Sequence, residues 1–208
     1  MAEDVALSVV IPVFNEQDNL EPLLAELVPV LDGLGMSWEV LCVNDASTDA
    51  SAAVLERLAA AQPRLRVLTH RINSGESAGQ ASGFRHARGA VLVTMDADLQ
   101  NDPSDIPRYL AALGPGVHAV CGYRAERREG WLRRFASRTA NGFRAAITGD
   151  RLRDAGCTYR LLRREALADI PVFNGMHRFL PTLIKAQGGT VVEIPINDRP
   201  RRAGVSKY

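Results

Sequence analysis

The chain has 208 residues and a formal net charge of +1. That length fits one domain, and the apolar and charged fractions are those of an ordinary globular protein. No run approaches the ~20 apolar residues that a membrane-spanning helix needs, and the acidic start followed by a strand-sized apolar run does not read as a signal peptide. Cys42, Cys121 and Cys157 are odd in number and far apart, without metal-ligand spacing, and read as buried thiols in a reducing compartment.

In chain order, Leu7–Val13 is an apolar, β-rich run and is followed by a helix from about Asn19 to Leu34. Trp38–Asn44 reads as the second strand, Asp49–Ala61 as an alanine-rich helix, Arg66–His70 as a third strand and Ser77–Ala87 as a helix. Ala90–Thr94 is a fourth strand, Pro103–Leu113 a short helix and His118–Gly122 a fifth strand. Alternation of this kind, with continuously apolar strands, predicts an α/β fold: a mostly parallel sheet flanked by helices.

The character changes after Gly122. From Arg124 to Arg164 there are twelve arginines against four acids, while the whole chain has two lysines. Arginine grips phosphate through two parallel hydrogen bonds, so the block suggests a phosphate-bearing partner, against the plainer reading of a solvated helical face. A long helix is expected over Trp131–Thr148, with Arg133, Ser137, Asn141 and Arg144 along one face. A strand near Thr158–Leu162, a helix from about Arg178 to Gln187 and a strand at Thr190–Ile196 follow. The tail, NDRPRRAGVSKY, is basic and reads as mobile. The expected layout is a single domain over 1–208, with a nucleotide-binding half (1–122) and an acceptor-binding half (123–208).

In parallel α/β sheets, ligands bind beyond the carboxyl ends of strands. Three such ends are polar here: Pro12–Asn19 (PVFNEQDN), Asn44–Asp49 (NDASTD) and Met95–Gln100 (MDADLQ). Unpaired carboxylates at the edge of a core are costly. In an extended chain Asp96 and Asp98 would share a face, Gln100 would continue the spacing, and such oxygen ligands suit Mg²⁺ or Mn²⁺ holding substrate phosphates. The alternative is an exposed turn whose aspartates cap the next helix. Asp45 could hold the ribose or base of a nucleotide. Its own capping role is not evident, because Ser47 or Thr48 could cap the following helix. Glu16 is ambiguous between a ligand contact and a strand end. The loop Asn73–Gly79 could bring backbone amides close to a ligand, although it matches neither G-x-G-x-x-G nor a P-loop. Asp154 could neutralise an arginine, or orient the acceptor or one of its cationic ligands. His177 reads by default as a helix-start residue without chemistry.

Taken in order, SVVIPVFNEQDNL, VNDASTD, NSGESAGQASGFRHARGAVLVTMDADLQNDPSDIP, GYRAER, RDAGCTYRLLRRE, HRFLP and EIPINDRPRRAGVSKY resemble the family 2 glycosyltransferases of GT-A fold. More narrowly, they are similar to the polyprenyl-phosphate sugar synthases, such as dolichyl-phosphate mannose synthases and their bacterial counterparts. The resemblance implies that Pro12, Phe14, Glu16, Val43, Asp45 and Asp96 hold the nucleoside side of a GDP- or UDP-sugar. It implies that Asp96, Asp98 and Gln100 bind Mg²⁺ or Mn²⁺ and, through it, the diphosphate. Arg124, Arg133 and Ser137 would engage the phosphate of a polyprenyl acceptor, Arg201 and Lys207 on a mobile loop would close over the phosphates, and Asp98 and Asp154 would serve catalysis. The sequence departs from the family pattern where Phe14 replaces a tyrosine, Asn44 an aspartate and Ala46 a glycine. These changes predict altered nucleotide contacts without loss of function. Many family members continue into amphipathic or membrane-spanning helices, which these 208 residues do not contain.

The resemblance thus implies inverting transfer from a nucleotide-sugar to a polyprenyl phosphate, in the cytoplasm or at the cytoplasmic face of a membrane, with a homo-oligomer compatible with the sequence. Two other readings stand beside it: transfer to a sugar hydroxyl, for which Asp154 would be the base, and a non-catalytic module that binds nucleotide or anionic lipid. The basic block lacks interleaved aromatics for stacking on bases, so nucleic acid is not expected as a partner.

Overall fold

The computed structural model describes residues 5–125, 152–154 and 156–200. One seven-stranded sheet runs through them: β1 (Leu7–Val13), β2 (Trp38–Asn44), β3 (Leu65–Thr69), β4 (Val91–Thr94), β5 (Ala119–Arg124), β6 (Arg160–Arg163) and β7 (Val191–Ile196). The helices are α1 (Gln17–Asp32), α2 (Ser51–Ala61), α3 (Glu76–His86), α4 (Ile106–Ala112) and α5 (Met176–Ala186). The seven strands match the expected ones in order, within a residue or two at their ends. The helix expected over Pro103–Leu113 splits into a 3-10 turn at Pro103–Asp105 and α4. The helix expected over Trp131–Thr148 lies outside the described residues.

Strand order is β3-β2-β1-β4-β6-β5-β7. β6 runs antiparallel to β4 and β5, and the other pairings are parallel. β1 and β2 are buried along almost their whole length, because helices cover both faces. Leu20, Leu23, Leu24, Leu27 and Leu31 recur at helical spacing on the buried side of α1 and join the core around β1 and β2. All three cysteines are buried and free.

Two features of this topology set the site. The chain passes from β1 to β2 on one side and places β4 on the other, so the crevice at the carboxyl ends of β1 and β4 is a topological switch point. β6 then returns antiparallel, with Arg160 opposite Thr94, which brings the residues just before β6 beside the end of β4. Close packing of α3 on β1 supplies a third wall. A Cβ on Gly83 would stand 2.2 Å from Val10 Cγ1 and one on Gly79 3.2 Å from Pro12 Cβ, so glycine lets the helix approach far enough to hold its first turn over the end of β1.

Candidate active site

A cleft of about 300 Å³ opens at this switch point. Pro12, Phe14 and Glu16 reach it from the end of β1, Asp96, Asp98 and Gln100 from beyond β4, and Arg124 from the end of β5. Thr158 enters from before β6, Glu76 from the first turn of α3, and His177 and Arg178 from the first turn of α5.

The aspartates do not lie in extended chain as expected. β4 ends at Thr94, and the residues after it turn. Leu99 takes a left-handed backbone (φ 65°), and the Gln100 N–H donates to Asp98 Oδ1 at 3.1 Å. The two carboxylates therefore reach one cleft by a turn and not by strand alternation. Thr158 Oγ1 donates to Asp96 Oδ2 at 2.7 Å and Asn101 Oδ1 accepts from the Asp96 N–H at 2.8 Å. Burial pushes the Asp96 carboxyl up to about 6, and the neighbouring Asp98 pushes it the same way. A buried carboxyl whose charge is disfavoured, with a second carboxylate beside it at a cleft wall, fits a cation at that wall. Among the described residues no three acidic, histidine or cysteine side chains gather as a protein-only cage. The donor set therefore fits an ion such as Mg²⁺, which takes one or two carboxylates and completes its shell with substrate oxygens.

On the β5 side, Arg124 Nε donates to Asp154 Oδ2 at 2.8 Å and Nη2 to Oδ1 at 3.2 Å. The Asp154 carboxylate holds the guanidinium firmly charged, its pKa pushed up. Asp154 is buried and both its oxygens face Arg124, an arrangement that neutralises the guanidinium and fixes its orientation together. Nε and one Nη2 proton are used in this pair, so three N–H groups of the guanidinium are not part of it.

Across the cleft stands a group that the sequence did not single out. Glu76 Oε2 lies 3.4 Å from His177 Nε2, and Glu76 Oε1 accepts from Gln80 Nε2 at 3.3 Å. His177 Nδ1 is 2.8 Å from Ser77 Oγ, and the buried Arg160 donates through Nη1 to the His177 carbonyl. Burial pushes Glu76 up to about 7, with Asp96 adding to the shift. Burial, then Arg178 and Arg160, push His177 down to about 4. His177 is thus a cleft residue and not a plain helix start. HRFLP among the family-like stretches was the only signal, and nothing in the sequence shows that α3 and α5 begin side by side.

The end of β2 does not line the cleft. Val43 is buried in the core, and the Asp45 carboxylate is 1% exposed. Asp45 accepts from the Gly75 N–H at 2.7 Å and the Ser74 N–H at 2.9 Å, and His70 Nδ1 sits 2.7 Å from its Oδ1. Asp45 therefore does cap backbone, across roughly thirty residues of sequence, and two amides of the loop Asn73–Gly79, those of Ser74 and Gly75, are engaged by it. Ser47 and Thr48 do not cap α2. Ser47 Oγ accepts from the Asn15 N–H at 3.0 Å, and Asn15 Oδ1 accepts from the Thr48 N–H at 2.7 Å. Asn15 (φ 55°) and Ala46 (φ 56°) share the left-handed geometry of Leu99, so each of the three strand-end loops holds one such residue. Strain of this kind gathers at functional sites.

The start of the tail docks on the loop after β4. Arg199 bridges Glu26 (2.5 Å) and Asp102 (2.7 Å), its N–H donates to the Gln100 carbonyl at 3.0 Å, and Asp105 accepts from the Asn197 N–H at 2.8 Å. Arg133, Ser137, Arg201 and Lys207 lie outside the described residues. No described helix is long and apolar enough to cross a membrane.

The family model of glycosyl transferase family 2 matches residues 8–171. The undecaprenyl-phosphate 4-deoxy-4-formamido-L-arabinose transferase of Edwardsiella ictaluri (strain 93-146) is 38% identical over 204 residues, which are 97% of this chain and 62% of the relative. The protein of the same name from Enterobacter sp. (strain 638) is 36% identical over the same shares. The chain thus spans 62% of the length of these curated relatives. Among solved structures, glucosyl-3-phosphoglycerate synthase from Mycobacterium tuberculosis, in complex with Mn²⁺, UDP and glucosyl-3-phosphoglycerate, superposes with a TM-score of 0.76 at 21% identity. That match covers 97% of this chain and 73% of the other, and the likeness is one of fold, the GT-A arrangement.

Proposed function

The chain belongs to glycosyl transferase family 2, and on that premise we propose that it transfers a sugar from a nucleotide-sugar to a polyprenyl phosphate, with Asp96 and Asp98 holding Mg²⁺ or Mn²⁺. The observation that carries this reading is the pairing within one cleft of two mutually repelling carboxylates and an arginine locked by a buried aspartate. Each end of such a cleft suits one anion: a diphosphate at Asp96 and Asp98 through the cation, and an acceptor phosphate at Arg124. The curated relatives named as undecaprenyl-phosphate transferases support the acceptor.

When bound, the cation neutralises charge on the departing diphosphate. Asp96 and Asp98 would hold it, with Gln100 at the lip of the same turn, while Pro12, Phe14 and Glu16 border the nucleoside side. Arg124 places the acceptor phosphate, already an anion near neutral pH, against the anomeric carbon, and attack from the opposite face inverts that centre. Orientation of this kind lowers the barrier by fixing the reacting atoms in advance. No strong base is needed. Asp154 acts as a positioning residue, since its oxygens are held by Arg124, and that engagement disfavours a hydroxyl acceptor that would rely on it as base. Binding to the lipid at a membrane surface, on its cytoplasmic face, follows from such an acceptor. The decisive experiment supplies nucleotide-sugars, Mn²⁺ and polyprenyl phosphate and follows sugar on the lipid together with nucleoside diphosphate release. Transfer that vanishes in Asp98→Ala supports the reading. Absence of lipid-linked sugar with every donor sinks it.

A further inference from the structure

Glu76 and His177 are fixed far more firmly than a solvated ion pair needs. The Gly175 N–H donates to Ser77 Oγ at 3.0 Å and the His177 N–H points at the same oxygen at 3.4 Å. His177 Nδ1 lies 2.8 Å from that oxygen. His177 Nε2 faces Glu76 Oε2 at 3.4 Å and also accepts from the Arg178 Nε–H at 3.3 Å. Arg178 itself is exposed at the mouth of the cleft. Arg160 fastens the His177 backbone from below. Gln80 steadies the other Glu76 oxygen. The result is a carboxylate held in one orientation on the wall of a cleft whose other walls carry Asp96, Asp98 and Arg124.

Once ionised, above about pH 7, a carboxylate fixed in this way is an acceptor for paired hydroxyl or amino protons, and a repulsive element against another carboxylate. It shares the cleft with the residues assigned above to the diphosphate and the acceptor phosphate. The group lying between those two anions in the reaction is the sugar. We infer that Glu76, oriented by His177 and Ser77, selects the transferred sugar: it accepts hydrogen bonds from hydroxyl or amino groups of an uncharged or amino sugar and turns away sugars that bear a carboxylate. This inference rests on the nucleotide-sugar reading of the cleft and adds the class of sugar to it.

The test uses the full chain with Mn²⁺ at pH 8, where Glu76 is ionised, and measures, by calorimetry, binding of UDP and GDP and then of matched nucleotide-sugars, including UDP-glucose, GDP-mannose and UDP-glucuronate. For the base that binds, Glu76→Ala is expected to weaken the uncharged nucleotide-sugar roughly tenfold and to leave the bare nucleoside diphosphate within about twofold. The near-isosteric Glu76→Gln keeps the packing and is expected to narrow the preference for an uncharged sugar over a uronate. Equal weakening of diphosphate and nucleotide-sugar, or no change in either, overturns the inference. So does a Glu76→Gln variant that loses kcat at unchanged KM, which would mark the residue as a base. If the unaltered chain binds neither UDP nor GDP, the nucleotide-sugar reading itself falls and takes this inference with it, so the two failures are told apart.

Discussion

Asp154 grips Arg124 with both carboxylate oxygens, at 2.8 Å to Nε and 3.2 Å to Nη2. The pair joins the end of β5 to the chain just before β6. Breaking a buried pair by removing one partner costs about 3–5 kcal/mol, because the other charge is stranded. Asp154→Asn is milder: one oxygen still accepts, but the fork no longer fits. The expected result is a folded protein whose KM for acceptor rises roughly tenfold or more while nucleotide affinity changes little. Arg124→Lys should resemble it, since an ammonium cannot make the two parallel contacts. Steady-state kinetics with acceptor varied at saturating donor would settle the matter. A defect seen only in donor binding would contradict the assignment.

Asp45 leads to a different kind of defect. Its carboxylate is the buried acceptor for the Ser74 and Gly75 amides and the neighbour of His70, whose other ring nitrogen lies 2.9 Å from Ser82 Oγ. Hydrogen bonds to a charged group contribute about 1.5–3 kcal/mol each, and losing the charge leaves two amides poorly met. Asp45→Asn should therefore lower unfolding free energy by roughly 2 kcal/mol or more, in the absence of any ligand, as read from urea denaturation. A variant as stable as the parent but deficient in nucleotide binding would restore Asp45 to direct ligand contact.

Asp45 marks where the sequence stopped being legible, and the strands mark where it was. The strands announced themselves because a parallel sheet buried on both faces leaves unbroken apolar runs such as LSVVIPV and WEVLCVN. The pairing of carboxylates in MDADLQ pointed to a shared cation, although the turn that produces it, with Leu99 left-handed, could not be foreseen from alternation. Contacts between loops far apart in the chain were the illegible part. The reach of Asp45 to Gly75, the stitching of Asn15 to Thr48, and the meeting of Glu76 with His177 a hundred residues later all depend on which helix starts lie side by side. Periodicity reports which face of an element is buried, but it does not report which neighbour covers it.

Ala46 offers a test of backbone strain at the site. It holds φ 56°, where a β-carbon costs about 1–2 kcal/mol in the left-handed region. Glycine removes that cost but loses more entropy on folding, about 0.5–1 kcal/mol. Ala46→Gly should thus stabilise the protein by roughly 0.5–1 kcal/mol, a small rise in Tm, measurable by calorimetry. Destabilisation would mean that the alanine methyl makes packing contacts worth more than the strain.

Glu76 gives the last prediction, through pH. Its pKa stands at about 7 against an ordinary 4.5, chiefly because it is buried. The folded protein therefore holds a proton there that the unfolded chain has released, at every pH between those two values. The unfolding free energy must fall as pH rises through that window, by up to about 3 kcal/mol once pH is above 7. Asp96, raised to about 6, acts with the same sign, whereas His177, lowered to about 4 from 6.5, acts with the opposite sign and stabilises as pH rises from 4 to 6.5. Both of these groups remain in Glu76→Gln, so comparison with the parent reads Glu76 together with its coupling to Asp96 and His177. Urea titrations should find the two proteins close in stability at pH 4.5, where Glu76 is protonated in the folded state. At pH 8 the glutamine variant should be the more stable by up to about 3 kcal/mol. A difference that does not change between the two pH values would show that the Glu76 carboxylate ionises as freely in the cleft as in water.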